Sequence, residues 1–210
     1  GNVPIDWNYH DERIQPVAEI FQGRGSYEYY GCPRQARRTT PPGWFLQDAW
    51  TRGTIIGVIA APDHGGGYGK ACVYATALDR KAILDAIRAR HTYGTTGAKI
   101  FLDFRVNGLL MGEIGPPPNG PVEIEVTADC PQDIAVVEIC RNNRFIISRR
   151  IEGRSCHLRL RDEHPPRGPC WYYVRLQQED GEIAWSSPVW LGRPPAERFV
   201  PPVPEKLTGQ

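Results

Sequence analysis

The sequence lacks a strong imbalance of charge, because its 25 lysines and arginines are matched by 24 aspartates and glutamates. Nucleic acids and anionic membranes select basic surfaces, so we expect no nucleic-acid partner, and Arg24 and Arg37-Arg38 are expected to be solvated surface charge. No stretch approaches the roughly 20 apolar residues that cross a bilayer, so no membrane partner is expected. The first residues also lack a signal-peptide pattern and read as if within a domain, which predicts a fragment or a processed chain.

Two short motifs are missing as well. The six cysteines form no Cys-x-x-Cys pair, which argues against a ribbon-type zinc site. The glycine-rich stretch after Asp63 lacks the Gly-Lys-Ser/Thr ending of a phosphate-binding loop, which argues against nucleotide binding. Cys156 and Cys170 lie on segments that could pair as a hairpin, so a disulfide is possible there, but buried free thiols are favoured.

The first half of the chain shows both strand and helix signals. Val17–Phe21 predicts a short strand, and a helix is expected from Trp44 until Gly53 stops it. The run from Thr54 to Ala61 is apolar without alternation, which is typical of a strand buried on both faces in a parallel sheet covered by helices. Residues 71–76 are another strand candidate.

The clearest helix signal covers residues 79–90. Asp79 can cap its first turn, and Leu78 is placed for a hydrophobic staple. Ile83, Leu84 and Ile87 share one face at helical spacing, so they are expected to form its buried stripe.

The periodicity changes after Gly97, where apolar and polar residues begin to alternate. This pattern recurs at residues 100–107, 122–127 and 156–161, and it predicts antiparallel strands with one polar face. Asn142-Asn143 and Asp180-Gly181 are expected to be hairpin turns. Several short strands at this spacing indicate a β-sandwich. The proline-rich tail from Arg193 has no periodicity.

Asp63 and His64 follow the apolar run directly, and four glycines follow within five residues. Ligands of parallel α/β sheets bind at the carboxyl ends of strands, and a carboxylate with an imidazole suits zinc, manganese or iron. The glycines would let backbone or substrate approach closely. The alternative is a turn held by local hydrogen bonds. Glu19, a charged residue within the first strand, is a second candidate.

Three stretches together resemble a known enzyme family. Residues 53–113, which begin GTIIGVIAAPDHGGGYGK, are similar to the C-terminal part of the carbaryl-hydrolase-like metallohydrolases of the PHP (polymerase and histidinol phosphatase) superfamily. VAEIFQGRGSYE, with Gly25, Ser26 and Glu28, resembles the family's glutamate-bearing strand and Gly-Ser-x-Glu segment. WYYVRLQQEDGEIAWSSPVW resembles its closing hairpin. HTYGTTG, Asp63-His64 and AWSSPVW are the most specific motifs.

The resemblance implies a fold class of α/β plus all-β. We expect residues 1–97 to form the C-terminal part of a PHP-type distorted (β/α) barrel and residues 98–192 to form an antiparallel β-sandwich, followed by the tail at 193–210. The early His-x-His motif that supplies the family's first metal ligands is absent. A missing N-terminal segment or a second chain is therefore expected to complete the barrel.

The resemblance also implies an activity, which is metal-dependent hydrolysis of a small-molecule phosphate or carboxyl-type ester. The cofactors would be divalent metal ions (Zn, Mn or Fe), about two or three in the intact protein. Asp63 and His64 match the family's late metal-binding motif, although here they are adjacent, whereas many members have Asp-x-His. Glu19 is the candidate catalytic residue, orienting water or a metal ligand.

A second hypothesis comes from a different class, a non-catalytic binding or scaffold protein with a degenerate barrel remnant. Its β-sandwich would bind a partner or a carbohydrate. The basis for it is a concentration of aromatic residues: Trp171, Tyr172, Tyr173, Trp185 and Trp190. Such residues can bind sugars, but they more often fill a core.

Overall fold

The computed structural model describes residues 5–36, 40–64 and 68–197. Over these residues the chain forms two α-helices, α1 (Leu46–Thr51) and α2 (Arg80–Arg88). The strands are β1 (Val17–Gln22), β2 (Gly25–Ser26), β3 (Gly57–Ala60), β4 (Lys70–Val73), β5 (Thr92–Thr95), β6 (Phe101–Val106), β7 (Leu109–Leu110), β8 (Ile114–Gly115), β9 (Val122–Asp129), β10 (Ile134–Arg141), β11 (Arg144–Arg150), β12 (Ser155–Asp162), β13 (Cys170–Gln178), β14 (Ile183–Ser186) and β15 (Val189–Leu191).

These strands are arranged in three sheets. A four-stranded sheet has the order β12-β9-β6-β7, and its pairs are all antiparallel. An eight-stranded sheet runs β11-β10-β13-β14-β5-β4, with β15 and β8 attached beside β13. A small sheet has the order β2-β1-β3, in which β1 and β3 are parallel.

The four-stranded and eight-stranded sheets pack face to face as a β-sandwich, as the alternating pattern predicted. On β9 the inward-facing Val122, Ile124 and Val126 are all fully buried, and the residues between them face outward. A single core cluster joins both inner faces, and it includes Leu102, Phe104, Val122, Ile124, Val126, Val137, Ile139, Tyr172, Val174 and Leu176.

The expected portion of a PHP-type (β/α) barrel is wrong. The two helices have only six and nine residues, and the described residues contain no ring of strands covered by helices. The small sheet packs instead against the eight-stranded sheet, since a second core cluster joins Ile20 and Val58 to Trp185 and Trp190. A continuous apolar run requires burial on both faces, but it does not specify whether helices or another sheet provide the cover.

Strand β3 is parallel to β1 as expected, yet it lies at the edge of its sheet. Two buried hydroxyls replace the missing neighbour strand. The Val58 amide donates to Ser187 Oγ at 2.9 Å, and Thr92 Oγ1 donates to the Val58 carbonyl at 2.8 Å. The two hydroxyl oxygens are 3.1 Å apart, so Ser187 donates to Thr92 and the ring closes. The edge of β3 is therefore satisfied without another strand.

The backbone of β3 lies close to the large sheet at two glycines, Gly57 of β3 itself and Gly94 of β5. A Cβ added to Gly94 would lie 2.9 Å from the backbone nitrogen of Ala60, and one added to Gly57 would lie 2.7 Å from Ser187 Oγ. Neither distance leaves room for a side chain. The HTYGTTG and AWSSPVW motifs thus contribute Thr92, Gly94 and Ser187 to the contact between the two sheets.

The helices differ in how well they match the sequence pattern. Helix α1 ends just before Gly53, and the Asp79 side chain caps α2 by accepting from the Ala82 amide, both as expected. The expected buried stripe of α2 is wrong, because Ala86 is its only buried residue and Leu84 is exposed. Leu78 is 98% exposed, so it forms no hydrophobic staple.

The turn predictions are confirmed. Asn142 and Asn143, both with positive φ, connect β10 to β11, and Asp180-Gly181 connects β13 to β14. All six cysteines are free, so Cys156 and Cys170 do not form a disulfide, but Cys72 and Cys156 are half-buried, so the expectation of buried thiols holds for the other four.

The boundary near Gly97 stays a prediction. Strands β4 and β5 precede it in sequence and belong to the same large sheet as β13 and β14. Arg37-Arg38, Gly65–Gly67 and the tail beyond residue 197 lie outside the described residues. No helix within the described ranges is long and apolar enough to cross a membrane.

We expect Thr92→Val to lower the free energy of unfolding by about 1–3 kcal/mol, because valine fills the same space but leaves the Val58 carbonyl buried without its donor. Thr76→Val, at an exposed position before α2, is the matched control and should change stability by less than about 0.5 kcal/mol. Urea denaturation of both variants measures the difference. Equal stabilities would show that the hydroxyl ring contributes nothing.

Candidate functional site

The loops that follow β1 and β3 meet at the carboxyl end of the parallel pair. Glu19 of β1 is in register with Ile59 of β3, and Asp63 lies three residues beyond the end of β3. A Cβ at Gly23, just after β1, would lie 2.9 Å from the Pro62 carbonyl oxygen, so the two loops are in close contact. Ligands of parallel sheets bind at this carboxyl end of the strands.

Asp63 is held in a specific conformation at this edge. Its φ is +63°, in the left-handed region, and its Oδ1 accepts from the His64 amide at 2.8 Å. Its other carboxylate oxygen accepts from Arg24 Nη1, and both side chains are partly buried. The expectation that Arg24 is only a solvated charge is therefore wrong. His64 Nε2 lies 3.5 Å from Asp63 Oδ1, while its side chain is 95% exposed.

Glu19 and Asp63 interact electrostatically. Partial burial is the main cause that raises the pKa of Glu19, and repulsion by the Asp63 carboxylate raises it further, with Arg24 offsetting part of the effect. Glu19 and Asp63 carry two negative charges and Arg24 carries one positive charge. The net charge near the carboxyl ends of β1 and β3 is therefore negative, which attracts a cation.

The structure thus places Asp63 and His64 in contact beyond the carboxyl end of β3, and Glu19 close enough to feel the Asp63 charge. Whether they bind a metal stays a prediction. The described residues contain no group of three or more His, Cys, Asp or Glu side chains that could hold a metal ion. Of the four glycines, Gly69 is described. Its φ is +125°, and a Cβ there would lie 2.7 Å from the Ala61 carbonyl oxygen, so the loop needs glycine to return toward β4.

Glu28 is a second acid, fully buried, whose role the sequence pattern did not reveal. Its carboxylate accepts from Tyr173 OH at 2.7 Å, Arg175 Nη1 at 2.9 Å and Trp185 Nε1 at 3.0 Å. Arg175 also donates to Glu138 at 2.6 Å. Since Glu28 has no exposed surface, no substrate reaches it, and the group is structural. Its one sequence signal was the Gly-Ser-x-Glu resemblance.

The aromatic cluster is also structural. Tyr172, Tyr173, Trp185 and Trp190 have no exposed surface, and Trp171 is 8% exposed. These rings fill the core, so they offer no platform for a carbohydrate, and the binding-protein hypothesis loses its main basis.

The cysteines do not form a nucleophilic site in the described structure. Burial raises the pKa of Cys170 to about 11 and that of Cys140 to about 12. These thiols are therefore protonated at neutral pH, whereas a nucleophilic cysteine needs a lowered pKa.

A cleft of about 500 Å³ at the opposite end of the small sheet was not anticipated from the sequence. Trp7, His10 and Arg52 are among the residues that line it. His10 Nε2 lies 3.3 Å from the Ile55 carbonyl, and burial lowers the pKa of this histidine. Two of the three acids that line the cleft are in ion pairs, Asp11 with Arg13 and Glu12 with Arg193.

Comparison with known proteins adds relatives but no established function. Residues 56–108 match a family described as a protein of unknown function (DUF3604). An uncharacterized protein of Chlamydia pneumoniae is 27% identical over 88% of this chain and 35% of its own length. One from Chlamydia trachomatis is 28% identical over 59% of this chain and 22% of its own length. The chain therefore spans about a third or less of the curated relatives it matches.

A similarity to a solved structure was also found. Fibronectin(III)-like modules of Clostridium thermocellum CbhA align with a TM-score of 0.31 and 15% identity, covering 43% of this chain and 97% of the module. A superposition this poor does not show that the two folds are the same. The strand pairing of this chain is what shows its β-sandwich.

We expect Asp63→Asn to lower the pKa of Glu19, because it removes the repelling charge, and Arg24→Gln to raise it, because it removes the offsetting one. Carboxyl carbon chemical shifts followed by NMR during a pH titration measure both. Asp129→Asn, at the end of β9 in the other sheet, is the control and should leave the Glu19 titration unchanged. Shifts of the opposite sign would show that the three side chains are not arranged as described.

Proposed function

We propose that a longer protein containing this chain is a metal-dependent hydrolase of a small phosphate or carboxyl-type ester, as the resemblance to PHP-superfamily metallohydrolases implies. The observation that supports this most is that Asp63 and His64 lie side by side just beyond the carboxyl end of β3, with Glu19 of the neighbouring parallel strand near enough for the Asp63 charge to affect its pKa. The DUF3604 match covers the stretch that contains Asp63 and His64.

The residues fit a divalent metal in type, but Glu19, Asp63 and His64 are not gathered into a group that could hold one. Two carboxylates and an imidazole are suitable donors, and the exposed His64 ring is accessible. Because the described residues hold no cluster of three, further ligands would have to come from outside them. When bound, such a metal would polarise the ester and lower the pKa of a water molecule.

The residues of this chain would prepare that site. The His64 amide and the Arg24 guanidinium orient the Asp63 carboxylate. Arg24 also offsets part of the Asp63 charge through the Oδ2 oxygen, which would weaken the attraction of this carboxylate for a cation. Partial burial raises the pKa of Glu19 above that of an ordinary glutamate, so its carboxylate would be a stronger base toward a water molecule bound near Asp63.

The test uses the longer protein. His64→Ala and Asp63→Asn should each lower bound metal, measured by elemental analysis, and should reduce hydrolysis of p-nitrophenyl phosphate or p-nitrophenyl acetate at least about tenfold. His157→Ala, on the outer face of β12, is the matched control and should keep both. If His64→Ala and Asp63→Asn retain full metal content and turnover, Asp63-His64 is only a turn and the proposal is wrong.

A further inference from the structure

The irregular chain before β1 forms one wall of the cleft of about 500 Å³, which residues 7–13 line. The amides of Tyr9, Ile14 and Gln15 donate to the carbonyls of Asp6 and Asp11, so these backbone hydrogen bonds close within the same stretch of chain. They do not join it to another element. The position of this wall therefore depends largely on its side chains.

Three of these side chains dock the wall. Trp7 is 6% exposed and packs in the second core cluster. Glu12 accepts from Arg193 Nη1 at 2.8 and 2.9 Å. His10 Nε2 lies 3.3 Å from the Ile55 carbonyl oxygen, and since a carbonyl only accepts, Nε2 carries a proton. In the neutral imidazole, Nδ1 is then the nitrogen without a proton.

Two nitrogen atoms of the wall are buried without a hydrogen-bond partner in the described structure, Trp7 Nε1 and His10 Nδ1. While the imidazole is neutral, Nδ1 leaves only an unused lone pair. Protonation would place a charged N–H at the same enclosed position with no acceptor, and a charge without a hydrogen bond is much more costly to bury. The docked wall therefore disfavours the proton, whereas a released wall would let water solvate it.

Burial is the largest influence on the pKa of His10 and lowers it below its ordinary value of 6.5. The Ile55 carbonyl, Glu12, Asp11 and Gln15 favour the charged form but do not outweigh burial, and none of them is hydrogen-bonded to Nδ1. Both acids are already paired with arginines across or along the cleft. The remaining charged residues that line the cleft are Arg13, Arg52, Arg193 and Glu197.

We propose that residues 7–13 are a pH-sensitive wall of the cleft, which is docked while His10 is neutral and is released when His10 takes up a proton. Release exposes His10 and Trp7 to water, so that both unpartnered nitrogens gain partners, and it opens the cleft. Because the released imidazole binds a proton more tightly than the docked one, docking is fully stable above about pH 6.5 and weakens as the pH falls below that value. This proposal is independent of the proposed function.

Fluorine NMR of the protein labelled with fluorotryptophan tests this proposal, with the Trp7 signal assigned by Trp7→Phe. As the pH is lowered from about 8 to about 5, the Trp7 signal should move toward that of a solvent-exposed indole, and the released fraction should grow at least about threefold. His10→Gln keeps an N–H for the Ile55 carbonyl but does not titrate, so it should abolish this change. His91→Gln removes another half-buried histidine whose pKa is lowered by burial, and as the matched control it should retain the change.

A Trp7 signal that does not respond to pH over this range would overturn the proposal. A response that persists in His10→Gln would also overturn it, because another group would then be responsible. If all six tryptophan signals move together, the protein unfolds as a whole and local release is contradicted. The pKa of His10, measured by proton NMR of the imidazole in the unmodified protein, decides the matter if His10→Gln does not dock: a value below 6.5 is expected, and a value of 6.5 or above contradicts the proposal.

Discussion

The buried carboxylate of Glu28 is the constraint on which the arrangement of the sheets depends. A charge with no exposed surface is tolerated only when it is paired and hydrogen-bonded, and Glu28 meets this requirement through Tyr173, Arg175 and Trp185. These partners lie on β13 and β14, whereas Glu28 follows β2. The loop that follows β2 within the small sheet is therefore fixed to the large sheet.

This organisation assigns a structural role to most of the motifs that carried the family resemblance. Glu28 and Trp185 belong to the buried ion-pair group, while Thr92, Gly94 and Ser187 form the contact with β3. Asp63, His64 and Glu19 are among the motif residues that remain exposed or half-exposed, and they lie in the two parallel strands or just beyond them.

The sequence predicted local elements better than their assembly. The β1 and β3 strands, the Asp79 cap and the alternating strands of the β-sandwich all followed from periodicity and capping rules. The barrel did not, because the apolar run of β3 is equally compatible with cover by a sheet. The place of Asp63 could be predicted from the strand end, but its partner Arg24 could not, since the two are 39 residues apart and meet only in the folded chain.

A double-mutant cycle on Glu28 and Arg175 tests this account most directly. Glu28→Gln should lower the free energy of unfolding by about 3–5 kcal/mol, because it removes the fully buried half of an ion pair and leaves Arg175 with Glu138 as its remaining carboxylate partner. Adding Arg175→Met should recover part of this loss, giving a coupling energy of about 1–3 kcal/mol. Glu125→Gln, on the exposed face of β9, is the control. If Glu28→Gln costs no more than that control, Glu28 does not hold the sheets together and the account is wrong.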